Sequence, residues 1–336
     1  MQPHTPFTQS TARDGADRQP SAGRDDRRDF IEAARFYLQQ TPRQLPSRFL
    51  YNTLGSTLFD AICHLPWYRI TRAELGLLAR HALTIGHVLR SGGRVVELGC
   101  GNGEKLAMLL THADIRDAHA HLIDLSESAL ARSVETLTSI EGRGICVTTH
   151  HATYEDGLLA LPAGDAQPTA VALLGSNIGN FDPPGASAFL GLIRAALRPR
   201  DYLLLGVDLV KPERDLLLAY DDPLGLTAVF NKNLLLRMNV ELDANFDLAR
   251  FAHRAVWNRE ASRIEMLLVS LEAQEVHVGE ADVHFRLEAG ETIWTESSYK
   301  YEPDGIRHLV EPTGFAQRNQ WVDEDAGFAL ALFQAR

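Results

Sequence analysis

Long apolar runs are missing from this chain of 336 residues. None approaches the roughly 20 residues that a membrane-spanning helix requires, so a helical membrane protein is excluded. The opening stretch "MQPHTPFTQSTARDGADRQPSAGRDDRRD" has no apolar middle and reads as a disordered polar tail over residues 1–28 rather than a secretory signal, with cytoplasmic residence expected. Cysteine is scarce. Cys63, Cys100 and Cys146 form no CxxC pair, which argues against a disulfide framework and a zinc ribbon. The 33 basic residues are outnumbered by 44 acidic ones, giving a formal charge of −11, and no lysine or arginine stripe is present. Counterion release from a basic face, on which nucleic-acid binding depends, is therefore not expected, and the implied partner is a small molecule met by a monomer. The 13 histidines show no metal-ligand spacing with acids or cysteines, so no metal is expected. Ser56, Ser126 and Ser176 lack the GxSxG elbow of a hydrolase.

What is present is a rhythm. "DFIEAARFYLQQ" has helical apolar spacing, and "TRAELGLLARHALTIGHVLR" opens with Thr71 and Glu74 in capping-box spacing. From residue 94, short apolar runs such as "RVVELG", "AHLIDL", "AVALLGS" and "YLLLGVDL" alternate with amphipathic stretches, as in a mostly parallel sheet covered by helices. Beyond "DLVKPE" the alternation breaks. A helical stretch, "LTAVFNKNLLLRMNVEL", precedes strand-like "RIEMLLVSL", "DVHFRLEAG" and "ETIWTESSYKY", and the closing "WVDEDAGFALALF" reads as two strands that rejoin the first sheet at its edge. The expected organisation is a helical section over 29–90 and an insertion over 213–314 that together recognise substrate. A cofactor domain is expected over 91–212 and 315–336.

In "VVELGCGNGEK", Glu97 ends a strand and Gly99, Gly101 and Gly103 fill the turn before a helix. Glycines permit positive φ and let a ligand lie against the main chain. The third glycine comes one residue too early for a dinucleotide fingerprint, and no GK[ST] follows, so neither pyrophosphate motif applies. The pattern left is the E-x-G-x-G-x-G turn of class I methyltransferases, which takes the sulfonium ligand S-adenosylmethionine. Asp124, ending the next strand in "HLIDLS", supplies a carboxylate able to accept from both ribose hydroxyls. Glu97, Gly99, Gly101 and Asp124 are thus the cofactor residues expected from pattern alone.

The next strand exits through "LLGSNIGNF". Together with "YNTLGSTLFDAICHLPWYRITRAE", "AYDDPLGLTAVFNKNLLLRMN", "SRIEMLLVS" and "TESSYK", over roughly residues 45 to 334, this loop resembles the histidine-specific N-alpha-methyltransferase family of ergothioneine biosynthesis. The resemblance implies an α/β fold: a class I S-adenosylmethionine-dependent methyltransferase, Rossmann-like, with a second α+β substrate-binding domain. It implies methyl transfer to the α-amino nitrogen of free L-histidine, three rounds of which give the betaine hercynine. It also implies cofactor roles for Lys105 and for Thr153 and Tyr154, which match a pair flanking the adenine. The family more often has an acid where Thr153 stands. A hydroxyl accepts more weakly than a carboxylate there.

For substrate, the resemblance implies Tyr68, Gly175, Asn180, Tyr220, Met266, Glu296 and Ser298. Their chemistry suits the task, because Asn180 and Tyr220 can donate to an amino-acid carboxylate, while Glu296 and Ser298 alternate with Ser297 on one face of a strand and can hold two imidazole nitrogens. Tyr51 and Tyr68 are candidates for the methyl-accepting, catalytic end, where aromatic faces suit a nitrogen that acquires fixed charge. Trp67, Arg69 and Ile70 depart from the commoner family form around Tyr68. Two alternatives stay open: a same-fold N-methyltransferase acting on tryptophan, tyrosine or a derivative, and a non-catalytic protein that binds S-adenosylmethionine.

Overall fold

The computed structural model describes residues 22–89, 92–162 and 168–336. In chain order, α1 (Ala22–Tyr37), β1 (Arg43–Gln44), α2 (Thr53–Cys63) and α3 (Ile70–Leu89) precede the alternating region. That region runs β2 (Arg94–Leu98), α4 (Glu104–His112), β3 (His119–Asp124), α5 (Glu127–Thr138), β4 (Cys146–His151), α6 (Tyr154–Leu159), β5 (Thr169–Leu173), α7 (Pro183–Ala196) and β6 (Tyr202–Asp208). There follow α8 (Glu213–Tyr220), α9 (Leu226–Glu241), β7 (Phe251–Asn258), β8 (Arg263–Ser270), β9 (Gln274–Val278), β10 (Val283–Leu287) and β11 (Thr292–Tyr299). The chain closes with α10 (Pro303–Val310), β12 (Phe315–Asp323) and β13 (Phe328–Ala335).

Two compact units emerge, one containing 63–212 with 299–336 and the other the segment up to Ile62 with 213–298. The first, the sheet unit, is built on seven strands in the order β12-β13-β6-β5-β2-β3-β4. Its five inner-numbered strands β2 to β6 run parallel, and β13 pairs antiparallel with β6. Strands β2 and β5 are buried along their whole length, which is why apolar residues such as Val95 and Val96, or Ala170 and Val171, stand on both of their faces instead of alternating with polar ones. Chain order reverses between β2 and β5, which pair directly, Leu98 opposite Leu173. In open α/β sheets the crevice at such a reversal, beyond the carboxyl ends of the strands, is where ligands bind.

The second unit holds a four-stranded sheet, β1-β11-β8-β7, with the β9–β10 hairpin. Burial in β8 alternates strictly, as expected of a strand with one covered face. Phe230, Leu234, Leu235 and Met238 of α9 supply core, and Asn231 and Asn233 are buried among them.

Three expectations about the chain's organisation need adjusting. Residues 22–28, read as tail, belong to α1. Arg27 pairs with Glu280 and donates to the Glu241 carbonyl, and Phe30 is buried against Phe49, so the charged first turns are anchored at long range. The rest of that tail, 1–21, lies outside the described residues. Helix α3, grouped above with the substrate section, packs on α4, β12 and β13 of the sheet unit. Residues 299–314 also belong to the sheet unit.

Candidate active site

The glycine turn begins where β2 ends. Gly99, Gly101 and Gly103 all have positive φ, +75°, +57° and +76°, a region that favours glycine. A Cβ on Gly99 would come within 2.5 Å of the Tyr154 hydroxyl and 2.7 Å of Asn177 Nδ2. One on Gly101 would meet nothing within 4 Å, so open space lies over the middle of the turn. Asp124 closes the turn from the next strand: Oδ2 accepts from the Gly101 N–H at 3.3 Å and Oδ1 from the Ser126 N–H at 2.9 Å. Burial raises its carboxyl above the usual range, against the pull of those two backbone donors.

Glu97 is buried, and its Oε2 has no partner among the described residues. Burial pushes its carboxyl up to about 8, with Lys105 pulling down and Glu74 and Asp124 pushing further up. An orphaned buried carboxyl, a second acid and an open glycine turn fit a ligand that brings its own hydroxyl and amino donors, as S-adenosylmethionine does.

Beneath the turn lies a residue that spacing misassigned. Helix α3 starts at Ile70, so Glu74 does not complete a capping box with Thr71; it points inward and is fully buried. Its two oxygens accept from the Gly175 N–H, each at 2.9 Å, and Oε2 pairs with Lys105 Nζ at 2.6 Å. A Cβ on Gly206 would collide with this carboxylate. Glu74 therefore ties the first turn of α4 to the loop after β5. The available signal was a lone acid among the buried apolar positions Ile70, Ala73, Leu77 and Leu78 of α3.

Lys105, expected at the cofactor, spends its ammonium on Glu74. Thr153 caps α6, accepting from the Asp156 N–H at 3.1 Å and donating to Asp156 Oδ2 at 3.0 Å. The Tyr154 ring packs on Phe189, and its hydroxyl accepts from Asn177 Nδ2 at 3.4 Å. Burial holds its phenol well above the ordinary range. Gly175 has φ +74°, and Asn180, ending the 3-10 turn Asn177–Asn180, is exposed. Tyr68 is buried just before α3.

The second unit brings together a different set. Tyr220, the last residue of α8, and Ser298 of β11 are both buried and joined by a hydroxyl–hydroxyl bond of 2.8 Å. Glu296, half-buried, is two positions earlier on the same strand, and its carbonyl accepts from Trp294 Nε1 at 2.8 Å. Met266 is buried on the neighbouring β8. Tyr51 stands edge-on to Phe59 and Phe230, each 5.6 Å away between centroids. Asn231, His253 and Thr295, unremarked in the sequence, are hydrogen-bonded among these residues. Among the described residues no group of three or more His, Cys, Asp or Glu is arranged to hold a metal, and no helix is long and apolar enough to cross a membrane.

A mostly parallel sheet with a glycine turn and an acid after its first two strands defines a class I, S-adenosylmethionine-dependent methyltransferase fold. A family model for histidine-specific, SAM-dependent methyltransferases matches residues 30–335. The chain is 38% identical over 297 residues to a histidine N-alpha-methyltransferase of Mycobacterium tuberculosis, covering 88% of this chain and 91% of that one. This protein belongs to the SAM-dependent, histidine-specific methyltransferase family. It is also 30% identical to ergothioneine biosynthesis protein 1 of Schizosaccharomyces pombe, over 81% of this chain and 36% of that longer one. A 4-dimethylallyltryptophan N-methyltransferase of Claviceps fusiformis is 26% identical over 89% of this chain and 90% of its own.

Proposed function

We propose that this enzyme methylates the α-amino nitrogen of free L-histidine, in successive rounds that end at the trimethylated betaine hercynine. S-adenosylmethionine supplies an electrophilic methyl group on a sulfonium. Gly101 leaves room for it along the main chain, Gly99 lets Tyr154 and Asn177 pack against the turn beside it, Asp124 accepts its ribose hydroxyls, and Glu97 accepts from one of its remaining donors. Thr153 and Tyr154 shape the adenine end, and Lys105 acts indirectly, by holding Glu74 against the Gly175 loop.

In the second unit Glu296 and Ser298 hold the imidazole nitrogens, Tyr220 fixes the Ser298 hydroxyl, Met266 packs against the ring and Tyr51 offers an aromatic face to the amino end. The observation that carries this reading is the 2.8 Å bond between Tyr220 and Ser298, which fixes a buried hydroxyl beside an acid on one strand face. A reader of that kind rejects rings without nitrogens, because its own buried groups would be left unpaired.

Incubation of the full chain with methyl-labelled S-adenosylmethionine and a mixture of the common amino acids, read by mass spectrometry, tests the proposal. Histidine carrying one, two and three added methyl groups is expected. Unmodified histidine beside methylated tryptophan or tyrosine would replace it with the reading that the departures at Trp67, Arg69 and Ile70 favour. Cofactor binding without any methylated product would reduce the protein to a binding module.

A further inference from the structure

One polar chain runs through the second unit behind the proposed histidine reader. His253, on β7, donates from Nε2 to the Tyr220 carbonyl at 2.8 Å. Asn231 Nδ2, from α9, lies 2.9 Å from His253 Nδ1 and 3.3 Å from the Leu267 carbonyl. Asn231 Oδ1 accepts from Thr295 Oγ1 at 2.6 Å, and the Met266 carbonyl lies 3.0 Å from that same hydroxyl. The far end returns to the reader, since the Tyr220 phenol is bonded to Ser298 Oγ.

The donors at His253 and Asn231 are determined by their carbonyl partners. A carbonyl only accepts, so the bond to Tyr220 places the proton on His253 Nε2 and, in the neutral ring, leaves Nδ1 as an acceptor. The Leu267 carbonyl likewise demands the amide nitrogen of Asn231, which turns its oxygen toward Thr295. Asn231 and Thr295 are buried to within 1% of complete exclusion from water, where an unmade bond costs more than a made one contributes. A core needing only cohesion would fill these positions with apolar side chains. Here five elements, α8, α9, β7, β8 and β11, are fixed relative to one another by polar groups.

We infer that His253 and Asn231 are positioning residues for the amino-acid reader, setting the end of α8 that carries Tyr220 and the stretch of β11 that carries Glu296 and Ser298. The inference rests on the proposed function for what is being read. His253 touches no substrate atom in this account. It acts through the Tyr220 main chain, and Asn231 acts through Thr295, the residue before Glu296.

The test compares His253→Ala, His253→Gln, Thr295→Val and Tyr220→Phe, alone and with His253→Ala combined with Tyr220→Phe, in the full-length protein. KM and kcat for L-histidine and the dissociation constant of S-adenosylhomocysteine are measured for each. His253→Ala is expected to raise KM roughly tenfold, as loss of a bond to a buried acceptor implies, with kcat and product-cofactor affinity near wild type. His253→Gln, which keeps a nitrogen donor within reach of the Tyr220 carbonyl, is expected to recover most of the loss. The double variant is expected to lose little more than Tyr220→Phe alone, because both act on one group.

An unchanged KM, additive losses, a Gln variant as weak as Ala, or an equal fall in product-cofactor affinity would overturn the inference. Should His253→Ala not fold, Thr295→Val breaks the chain at its other end and is expected to raise KM severalfold; an unchanged value overturns it equally. Should the wild type methylate a different amino acid, the functional proposal falls alone, and the same comparison made with that amino acid decides the role of His253.

Discussion

Between Leu98 and Glu104, three glycines have positive φ, the middle one faces open space, and one carboxylate, Asp124, holds the turn shut. Between Thr292 and Tyr299 the backbone is ordinary strand, and the polar groups are side chains held by other side chains: Ser298 by Tyr220, Thr295 by Asn231, Asn231 by His253. The first arrangement is local and generic, suited to a ligand shared by many enzymes. The second draws on residues far apart in the chain, suited to choosing one amino acid. The two differ in what breaks them. A main-chain site fails when a side chain intrudes or a loop loses its tie, whereas a side-chain relay fails at any of several remote positions.

The largest effect is expected where the sheet unit departs from this simplicity. Glu74→Ala strands Lys105 and leaves the Gly175 N–H without its acceptor, and breaking so buried a pair costs about 3 kcal/mol of stability. Chemical denaturation measures it. A loss confined to the range of surface substitutions would show that the start of α4 and the loop after β5 are tied by something else.

Next is Asp124→Ala. It removes the proposed ribose acceptor and one partner of the Gly101 N–H, and is expected to weaken S-adenosylhomocysteine binding about tenfold while histidine selectivity is kept. Calorimetric titration decides it. An unaltered constant would mean that Asp124 serves only the turn.

The smallest effect is a slope. The native form keeps on Glu97 a proton that the unfolded chain releases above 4.5, burial having pushed the folded value up to about 8. Bound protons in the native state then exceed those in the unfolded state, so the stability this group contributes is lost as pH rises through that window. His121, held down to about 4 by burial and by His119, His150 and Arg94, acts oppositely, its contribution falling as pH drops below 6.5. The informative quantity is therefore the difference between wild type and Glu97→Gln in thermal midpoint from pH 5 to 8. It is expected to narrow as pH falls. Parallel curves would remove Glu97 from the account.

The same contrast explains what was legible in the sequence. The glycine turn, Asp124 and the returning strands β12 and β13 could be read because each is contiguous or sits at a fixed place in a repeating strand–helix rhythm. Glu74 was misread as a cap because its partner Gly175 is 101 positions away, and spacing on a helix speaks only to neighbours. Thr153 shows the reverse: a local pattern, Thr-x-x-Asp, caps α6 as such patterns do. His253 and Asn231 are separated by 22 positions, and Asn231 and Thr295 by 64, so nothing in periodicity joins them. They emerge only once β7, β8 and β11 are side by side.

The account's central claim is that β11 reads the imidazole through Glu296 and Ser298, independently of how the cofactor is held. Calorimetric titration of L-histidine into Glu296→Ala saturated with S-adenosylhomocysteine tests it most directly. The account predicts a fall in histidine affinity of at least about tenfold with product-cofactor affinity unchanged. Histidine affinity equal to wild type, or a parallel loss of both ligands, would contradict it.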